Sequence, residues 1–491
     1  APSSQISLEQ SVKTFKLFEI LRSGDTTAIS KAIKEAKEQQ NGGIASPGGT
    51  TVLHLAVQCA EPQVIEYVLS SGDSIDVNAR DRDGNTPLHL AAQLGRDAVV
   101  RALLERPEID DSIANYRGQT ALDLARTPEI FQQLQLARSL FIDAKTKEIQ
   151  DLIARGEYEK LEKVLEEPRV EGTLDVNSLE LVTDPQTIQT GGTLLHEGAR
   201  KKDTKLIQIL LLHGADPFRR DKKGKLPQDV TKDDKTRAIV KRSPAAVIAQ
   251  RGIQERAILG NAAPGGGPRG ASMEVTLGGK DAREMKGYLK KWTNYTGGFK
   301  LRWFVLEDGV LSYYKHQDDA GSACRGAISM RIAKLHMDPQ DKTRFEIHGK
   351  SSVKYHLKAN HVVEAKRWFW ALNNAIQWAK DEAKEEERRR NREAELLRQA
   401  KADQEAQGGR LSEAASEVSK VPATTRSSLV PPAAKSTVSF SRVSTHTSRT
   451  AADTTPGEEE GSAHGSYDLN VAPHDVNRVT SQATAPAEEY D

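Results

Sequence analysis

One six-residue phrase recurs along the first half of the chain. Thr51-Val52-Leu53-His54-Leu55-Ala56 returns as Thr86-Pro87-Leu88-His89-Leu90-Ala91 and again as Thr120-Ala121-Leu122-Asp123-Leu124-Ala125, at intervals of 35 and 34 residues. A fixed period of that size restricts the fold to a stacked solenoid, because each unit is a short helix pair that buries its apolar face only against its neighbours. Thr193-Leu194-Leu195-His196 follows 73 residues later, two periods on, and Leu226-Pro227-Gln228-Asp229 another 33 residues beyond. The unit between has lost the phrase, although Leu161, Val164 and Leu165 keep helical spacing. Leu17, Ile20, Leu21, Ile29, Ala32 and Ile33 outline two further helices around Gly24-Asp25, an N-terminal cap for the stack.

The period and the Thr-Pro-Leu-His-x-Ala phrase identify residues 1–260 as ankyrin repeats. Proline in the first helical turn costs no hydrogen bond, Gly84 and Gly118 make the preceding turns, and Leu88 and Ala91 face inward. His54, His89 and His196 could be taken for metal ligands, but equal spacing along a solenoid sets them in successive layers, each with its own local partner. The structural role is therefore preferred. A stack of this kind offers a concave surface to a protein partner.

Composition then breaks. Asn261-Ala262-Ala263-Pro264-Gly265-Gly266-Gly267-Pro268-Arg269-Gly270 suits neither helix nor strand, and 261–283 reads as a flexible linker. The glycines there match G-x-G-x-x-G by accident, with no preceding strand and with Pro268 inside. Gly349-Lys350-Ser351 fails as a phosphate loop because Arg344 occupies the position of its first glycine.

All five tryptophans (Trp292, Trp303, Trp368, Trp370 and Trp378) fall between Met285 and Lys380, marking 284–380 as a separate domain with an aromatic core. Alternation from Gly287 to Trp292, from Arg302 to Leu306 and from Val310 to Tyr314 predicts a three-strand meander, with further strands at 327–335, 344–348 and 355–358. A closing helix, His361 to Ala379, presents Ala365, Trp368, Phe369, Leu372, Ile376 and Ala379 on its apolar face. Trp370 and Trp378 lie outside that arc, and either make a second contact or pack on a neighbouring loop. The expected architecture is multidomain: an all-α ankyrin solenoid, a β-barrel capped by a C-terminal helix, a charged helix over 381–407 and a disordered Ser/Thr-rich tail over 408–491. In the charged helix Glu385–Arg389 and Glu386–Arg390 are spaced to pair, and no heptad seam is sustained, so a single solvated helix and a monomer are expected. Lys420 to Thr455 holds 15 Ser or Thr in 36 residues, and Arg426, Arg442 and Arg449 beside them invite phosphorylation.

Over 285–306 the chain carries Lys286, Lys290, Lys291, Lys300 and Arg302 and no acidic residue. Because side chains alternate along a strand, Lys300 and Arg302 share a face, and Lys291 at the end of the first strand can converge with them. A phosphorylated headgroup needs such convergence. Tyr295, at the tip of the 293–298 loop, could enter a membrane interface. The full chain has 70 Lys and Arg against 69 Asp and Glu, a charge of +1, so nothing drives it as a whole toward nucleic acid. Its longest apolar stretches, such as Leu206 to Leu212, fall far short of a bilayer span. Two distant cysteines, Cys59 and Cys324, point to a reducing, cytoplasmic setting.

The segment GYLKKWTNYTGGFKLRWFVLEDGVLSYYK from Gly287, with Cys324-Arg325-Gly326 after it and Trp368 in the closing helix, resembles the pleckstrin-homology (PH) domain of oxysterol-binding proteins. The order of ankyrin repeats, PH domain and long linker is similar to the large fungal homologues of that family. The resemblance implies a non-catalytic targeting region of a lipid-transfer protein: ankyrin repeats on a protein partner, and a PH domain on phosphoinositide, typically phosphatidylinositol 4-phosphate, at Golgi, endosomal or nucleus-vacuole/ER contact membranes, in support of sterol transport. It further implies an Arf-type small GTPase as a possible assistant at the Golgi. Leu301 stands where some relatives carry another arginine, which implies lower affinity. The family's lipid-transfer domain carries a Glu-Gln-Val-Ser-His-His-Pro-Pro signature, and this chain has no adjacent histidine pair, so that domain is expected to lie outside these residues. The chain begins with Ala1 and not with Met, which also leads one to expect a piece of a longer protein, and no secretory signal is visible. A rival class, an Arf GTPase-activating enzyme, needs a four-cysteine zinc finger that two cysteines cannot build. The alternative that stays open is an ankyrin/PH signalling scaffold without lipid transfer. No cofactor or metal is expected.

Overall fold

The computed structural model describes residues 8–41, 50–71, 75–243 and 282–418. Paired helices open the chain: α1 (Leu8–Ser23) with α2 (Thr26–Asn41), α3 (Val52–Cys59) with α4 (Pro62–Ser70), and α5 (Pro87–Leu94) with α6 (Asp97–Leu104). Each Thr-x-x-His phrase builds one end of its helix. In α3, α5 and α11 (Leu194–Lys201) the threonine and histidine form a reciprocal capping box. The other ring nitrogen reaches the next repeat: His54 Nε2 to Asn85 O at 2.9 Å, His89 Nε2 to Gln119 O at 3.0 Å and His196 Nε2 to Lys225 O at 3.0 Å. These histidines are interlayer braces, each with its own partners.

At the third copy of the phrase the pattern fails, for a physical reason. Asp123 caps Thr120 as the histidines do, its Oδ2 accepting from the threonine N–H at 2.8 Å, but a carboxylate has no second nitrogen to donate onward. Residues 121–124 form turns instead of the expected helix, and the chain enters α7 (Pro128–Arg155), a 28-residue helix that replaces the loops of the next unit. Ile130 and Leu134 of α7 belong to the core of the first repeats, while Ile149 and Leu152 belong to a second core. That second core is completed by α8 (Tyr158–Glu166), α9 (Pro168–Thr173), α11, α12 (Thr204–Leu212) and α13 (Asp234–Lys241), with α10 (Pro185–Thr190) inserted ahead of α11. Asp111 ties the halves together, accepting from Arg138 Nε at 2.7 Å and Arg169 Nε at 2.8 Å. Burial alone would raise its pKa, but the two guanidiniums outweigh that and hold it below the usual carboxylate range.

The second domain is a seven-stranded antiparallel sheet in the order β4-β3-β2-β1-β7-β6-β5, from β1 (Met285–Trp292), β2 (Phe299–Glu307), β3 (Val310–Tyr314), β4 (Gly326–Ser329), β5 (Lys334–Met337), β6 (Arg344–His348) and β7 (Lys354–Lys358). It closes over Leu289, Phe304, Leu306, Phe345, Ile347 and Leu357, and α14 (Val362–Val418) inserts Ala365, Trp368, Leu372, Ala375 and Ile376 among them. Phe369, expected on this stripe, is only half-buried and meets Trp370 at 5.7 Å between ring centroids. Trp378 packs over the β2–β3 turn, where a Cβ on Gly309 would come within 3.3 Å of its ring, and under the Arg283 guanidinium at 4.2 Å. It therefore serves the neighbouring loop. Helix α14 continues unbroken to Val418, past the Gly408 at which the tail was expected to begin. The serines and threonines beside Arg426, Arg442 and Arg449 that were expected to be phosphorylated, with the rest of the expected tail, lie outside the described residues, as does the expected linker up to residue 281. Among the described residues no helix is long and apolar enough to cross a membrane.

Candidate functional site

The β1–β2 register brings three of the five candidate cations together and sends two elsewhere. Leu289, Phe304 and Leu306 point into the barrel, so by alternation Lys291 on β1 and Lys300 and Arg302 on β2 share that inner face at the mouth. Lys291 stands directly opposite Lys300, and Arg302 is opposite Leu289. Two aromatic rings form the floor: the Lys291 ammonium lies 5.1 Å from the centroid of Tyr313 and 4.9 Å from that of Tyr355. Burial pushes the Tyr355 hydroxyl up to about 12, so that ring stays neutral. Lys300 remains exposed.

Lys286 and Lys290 fall on the outer face of β1 and leave the group. Lys286 is five residues from Lys291, about 16 Å along an extended strand, and pairs with Glu307 at 3.7 Å. Lys290 stands opposite Lys358 of β7. Counting charges in a segment could not separate the faces, although the alternation that united Lys300 with Arg302 could have done so. Tyr313 and Tyr355 reach Lys291 only through strand pairings that cross tens of residues, which no local pattern announces.

The 293–298 loop is shaped by its own polar groups. Thr293 N donates to Gly298 O at 3.0 Å, Gly298 N donates to Asn294 O at 2.8 Å, and Gly298 has φ +58°, the left-handed region glycine tolerates. Tyr295 at its tip is 97% exposed. Its ring meets Trp292 edge-on at 6.0 Å, and Trp292 meets Phe299 at 5.2 Å.

The outer side of this sheet docks on the ankyrin stack. Phe131 of α7 stands edge-on to Trp303 at 4.8 Å and to Tyr288 at 5.8 Å. Gln135 Nε2 donates to Lys286 O at 2.6 Å, so close that a Cβ on Gly287 would collide with its amide. Helix α14 is buried on a second face as well. Arg367 forms a two-pronged ion pair with Glu180, both largely buried, and Lys366 binds Asp143. Asn374 accepts from Leu179 N at 3.0 Å and donates to Ser178 Oγ at 3.2 Å, while Arg220 Nε reaches Glu385 at 3.4 Å. Glu385 thus meets Arg220, Arg388 and Arg392 in place of the expected Arg389. Ala282, inside the expected linker, donates its N–H to Asp175 at 3.4 Å. The PH domain is accordingly docked on the ankyrin stack, with Ala282 of the expected linker held in the same seam.

Comparison with known proteins agrees with this organisation. The PH domain family matches residues 283–377, the three-copy ankyrin family matches 17–115 and 53–146, and a further ankyrin repeat matches 190–222. Oxysterol-binding protein homolog 1 of Saccharomyces cerevisiae is 34% identical over 402 residues, covering 77% of this chain and 32% of the relative; homolog 2 is 31% identical over 385 residues, covering 74% and 29%. This chain belongs to the oxysterol-binding protein homologues. It spans about a third of the length of the curated relatives it matches. The Osh1 ankyrin domain of Kluyveromyces lactis, a solved structure, is 30% identical, covering 52% of this chain and 99% of that one with a TM-score of 0.40. The family assignment rests on the sequence relatives and the domain matches rather than on that superposition.

Proposed function

We propose that this region of an oxysterol-binding homologue is a non-catalytic targeting unit. Its PH domain holds a phosphoinositide, of which phosphatidylinositol 4-phosphate is the first candidate, and its ankyrin stack holds a protein on a second membrane, so that a lipid-transfer domain elsewhere in the full protein works at a contact site and carries sterol. The observation that carries the headgroup reading is the register of Lys291 against Lys300 with Arg302 beside them. Like charges directly opposite destabilise a sheet, so a cluster kept at an open mouth is stabilised by an anion that neutralises it. Lysine ammoniums and an arginine fork suit a phosphomonoester on an inositol ring. Tyr295 and Trp292 beside the cluster are the residue types that sit at a bilayer interface. An Arf-type GTPase remains a candidate second partner.

Co-sedimentation of the intact 491-residue chain with vesicles containing phosphatidylinositol 4-phosphate tests this reading. Binding should weaken steeply with salt, because exposed cations are screened, and Arg302→Glu and Lys291→Glu should each abolish it. Undiminished sedimentation of both variants would remove the site.

A further inference from the structure

Helix α14 meets the ankyrin stack with a regular stripe. Arg367, Asn374, Asp381 and Arg388 stand seven residues apart, two helical turns each, so they share one side of the helix over about 32 Å. Each meets a different part of the second half of the stack. Arg367 takes Glu180, Asn374 takes Ser178 and the Leu179 N–H, Asp381 accepts from Arg220 N at 3.3 Å, and Arg388 crosses Gly224, where a Cβ would come within 2.6 Å of its Nη2. Lys384, beside them, donates to Lys222 O at 3.1 Å. The last three contacts fall on or beside one turn. Residues 221–225 are closed by Asp221 N to Lys225 O at 3.0 Å and Gly224 N to Asp221 O at 2.8 Å, the same two bonds that close 81–85 and 115–119 in the first repeats. Those earlier turns present Arg82, Tyr116 and Arg117 to solvent, on the side by which a stack of repeats takes its partners. The equivalent turn of the last repeat is covered by a helix of its own chain.

That cover is polar and incompletely bonded. Its buried charges are paired, yet Arg367 Nε and Asp381 Oδ1 are both buried without a hydrogen-bond partner. Burial raises the Asp381 pKa, against Arg220 and Arg219 that lower it, and burial together with the like charge of Arg283 lowers that of Arg219. Unmet polar groups of this kind cost stability, and water satisfies them when the surfaces part. The apolar share of the seam is the small cluster of Phe131, Trp303 and Tyr314, whereas the barrel core is built without any residue of the stack. The barrel can therefore leave the stack without losing its core.

We propose that the surface under α14, from Glu180 through Ser178 to the 221–225 turn, is a docking site for a helix of a partner protein, and that α14 occupies it as a removable cover. This deepens the reading that the stack holds a protein. The chemistry of the occupant follows from the stripe it must replace: a basic pair for Glu180 and Asp143, an amide two turns on for Ser178 and Leu179, and a carboxylate two turns further for Arg220. Such a helix lifts the PH domain off α7. A protein held only by the open turns at 81–85 and 115–119 leaves it docked, so the region has a closed form for one kind of partner and an open form for the other. The headgroup site serves both, because Lys300 and Tyr295 are exposed while the cover is in place.

The test follows one cross-link in the intact chain. A carbodiimide, taking up the water released, joins the Lys366 ammonium to the Asp143 carboxylate as an amide only while the two touch. The probe is an isotopically heavy peptide of residues 362–392 with Trp368→Ala, Leu372→Ala and Ile376→Ala, which keeps the stripe and loses the barrel face. Rising peptide should replace the chain's own Lys366–Asp143 amide with the heavy one. Lys384→Ala with Arg388→Ala in the chain, both exposed, should lower the peptide concentration at the half-point by about fivefold. The same peptide with Arg367→Ala and Asn374→Ala should do nothing. The proposal is overturned if no heavy amide forms with parent or variant, if the half-point is the same in both, or if the peptide without its stripe competes equally. A second copy of this chain as occupant would show as heavy-to-light amides in a mixture of labelled and unlabelled full chains without peptide, which also overturns the partner helix. Co-sedimentation with phosphatidylinositol 4-phosphate vesicles should be equal with and without peptide. Loss on adding peptide overturns the open form, while absence in both counts against the headgroup reading alone.

Discussion

The PH domain uses charged residues in two opposite ways on two of its sides. At the seam, charges come in complementary pairs: Arg367 with Glu180 out of water, and Lys366 with Asp143 and Arg220 with Glu385 half-exposed around it, all across the domain boundary. At the mouth, charges of one sign stand side by side, Lys300 exposed and Lys291 and Arg302 half-buried, with aromatic rings beneath and beside them. A buried pair is complete in itself, and its partners depend on one another. A cluster of like charges at an open mouth lacks an opposite charge of its own and contributes little to the fold. The same residue types therefore record where the molecule is finished and where it awaits something else.

Removing one member of the seam pair should give the largest effect. Arg367→Ala strands a buried Glu180 carboxylate and is expected to cost about 3–5 kcal/mol, whereas Lys300→Ala at the mouth should change stability by no more than about 0.5 kcal/mol. Because all five tryptophans lie in the PH domain, their fluorescence follows the barrel while far-ultraviolet dichroism is dominated by the helices. Urea unfolding should give coincident curves by the two probes in the parent and separated curves in Arg367→Ala. Replacing both partners, Arg367→Met with Glu180→Leu, should recover most of the loss, because no buried charge is then left alone. Separated curves in the parent itself would dissolve the contrast between the two sides.

A smaller effect is expected at Glu364, buried in the first turn of α14, whose pKa burial raises from 4.5 to about 7 against backbone N–H groups that lower it. The folded chain binds this proton more tightly than the unfolded chain, so the contribution is present below pH 4.5 and is lost as pH rises to about 7. Glu364→Gln should then stabilise the protein by about 1–3 kcal/mol at pH 8 and hardly at all at pH 4. Melting temperatures at the two pH values check the difference.

The repeat braces should respond more weakly and with the reverse sign. Burial lowers the pKa of His54, His89 and His196 below 6.5, against hydrogen bonds from the next repeat that raise it. The unfolded chain then binds the protons more readily, so this contribution is complete above pH 6.5 and fades as pH falls through that value. Melts followed by dichroism between pH 7.5 and 5.5 should show the decline, and His89→Gln should flatten it.

Both domains were legible in the sequence because each rests on a local signal, the period near 34 in one and clustered tryptophans with alternating strands in the other. The inner cation set was legible for the same reason, since period-two alternation unites Lys300 with Arg302. Lys286 and Lys290 were misplaced because a count of charges carries no face. The seam left no local mark: Arg367 and Glu180 lie 187 residues apart, and the polar stripe of α14 that meets the ankyrin stack resembles an ordinary solvated face. The lost helix after Thr120 did leave a mark, Asp123 in the place of histidine, whose meaning depends on the onward bond that histidine makes.

Helix α7 also fixes how the region would carry tension. At 1.5 Å per residue it is about 42 Å long, and it supplies side chains to the first repeat core, to the second and to the seam. A pull between a protein held by the repeats and a bilayer held by the 293–298 loop would run along this one hydrogen-bonded rod and through the seam, bypassing residues 244–281 that connect the domains in sequence. The span between the two anchoring points is then set by the length of a strut, and lengthening the connecting segment would leave it unchanged for as long as the seam holds.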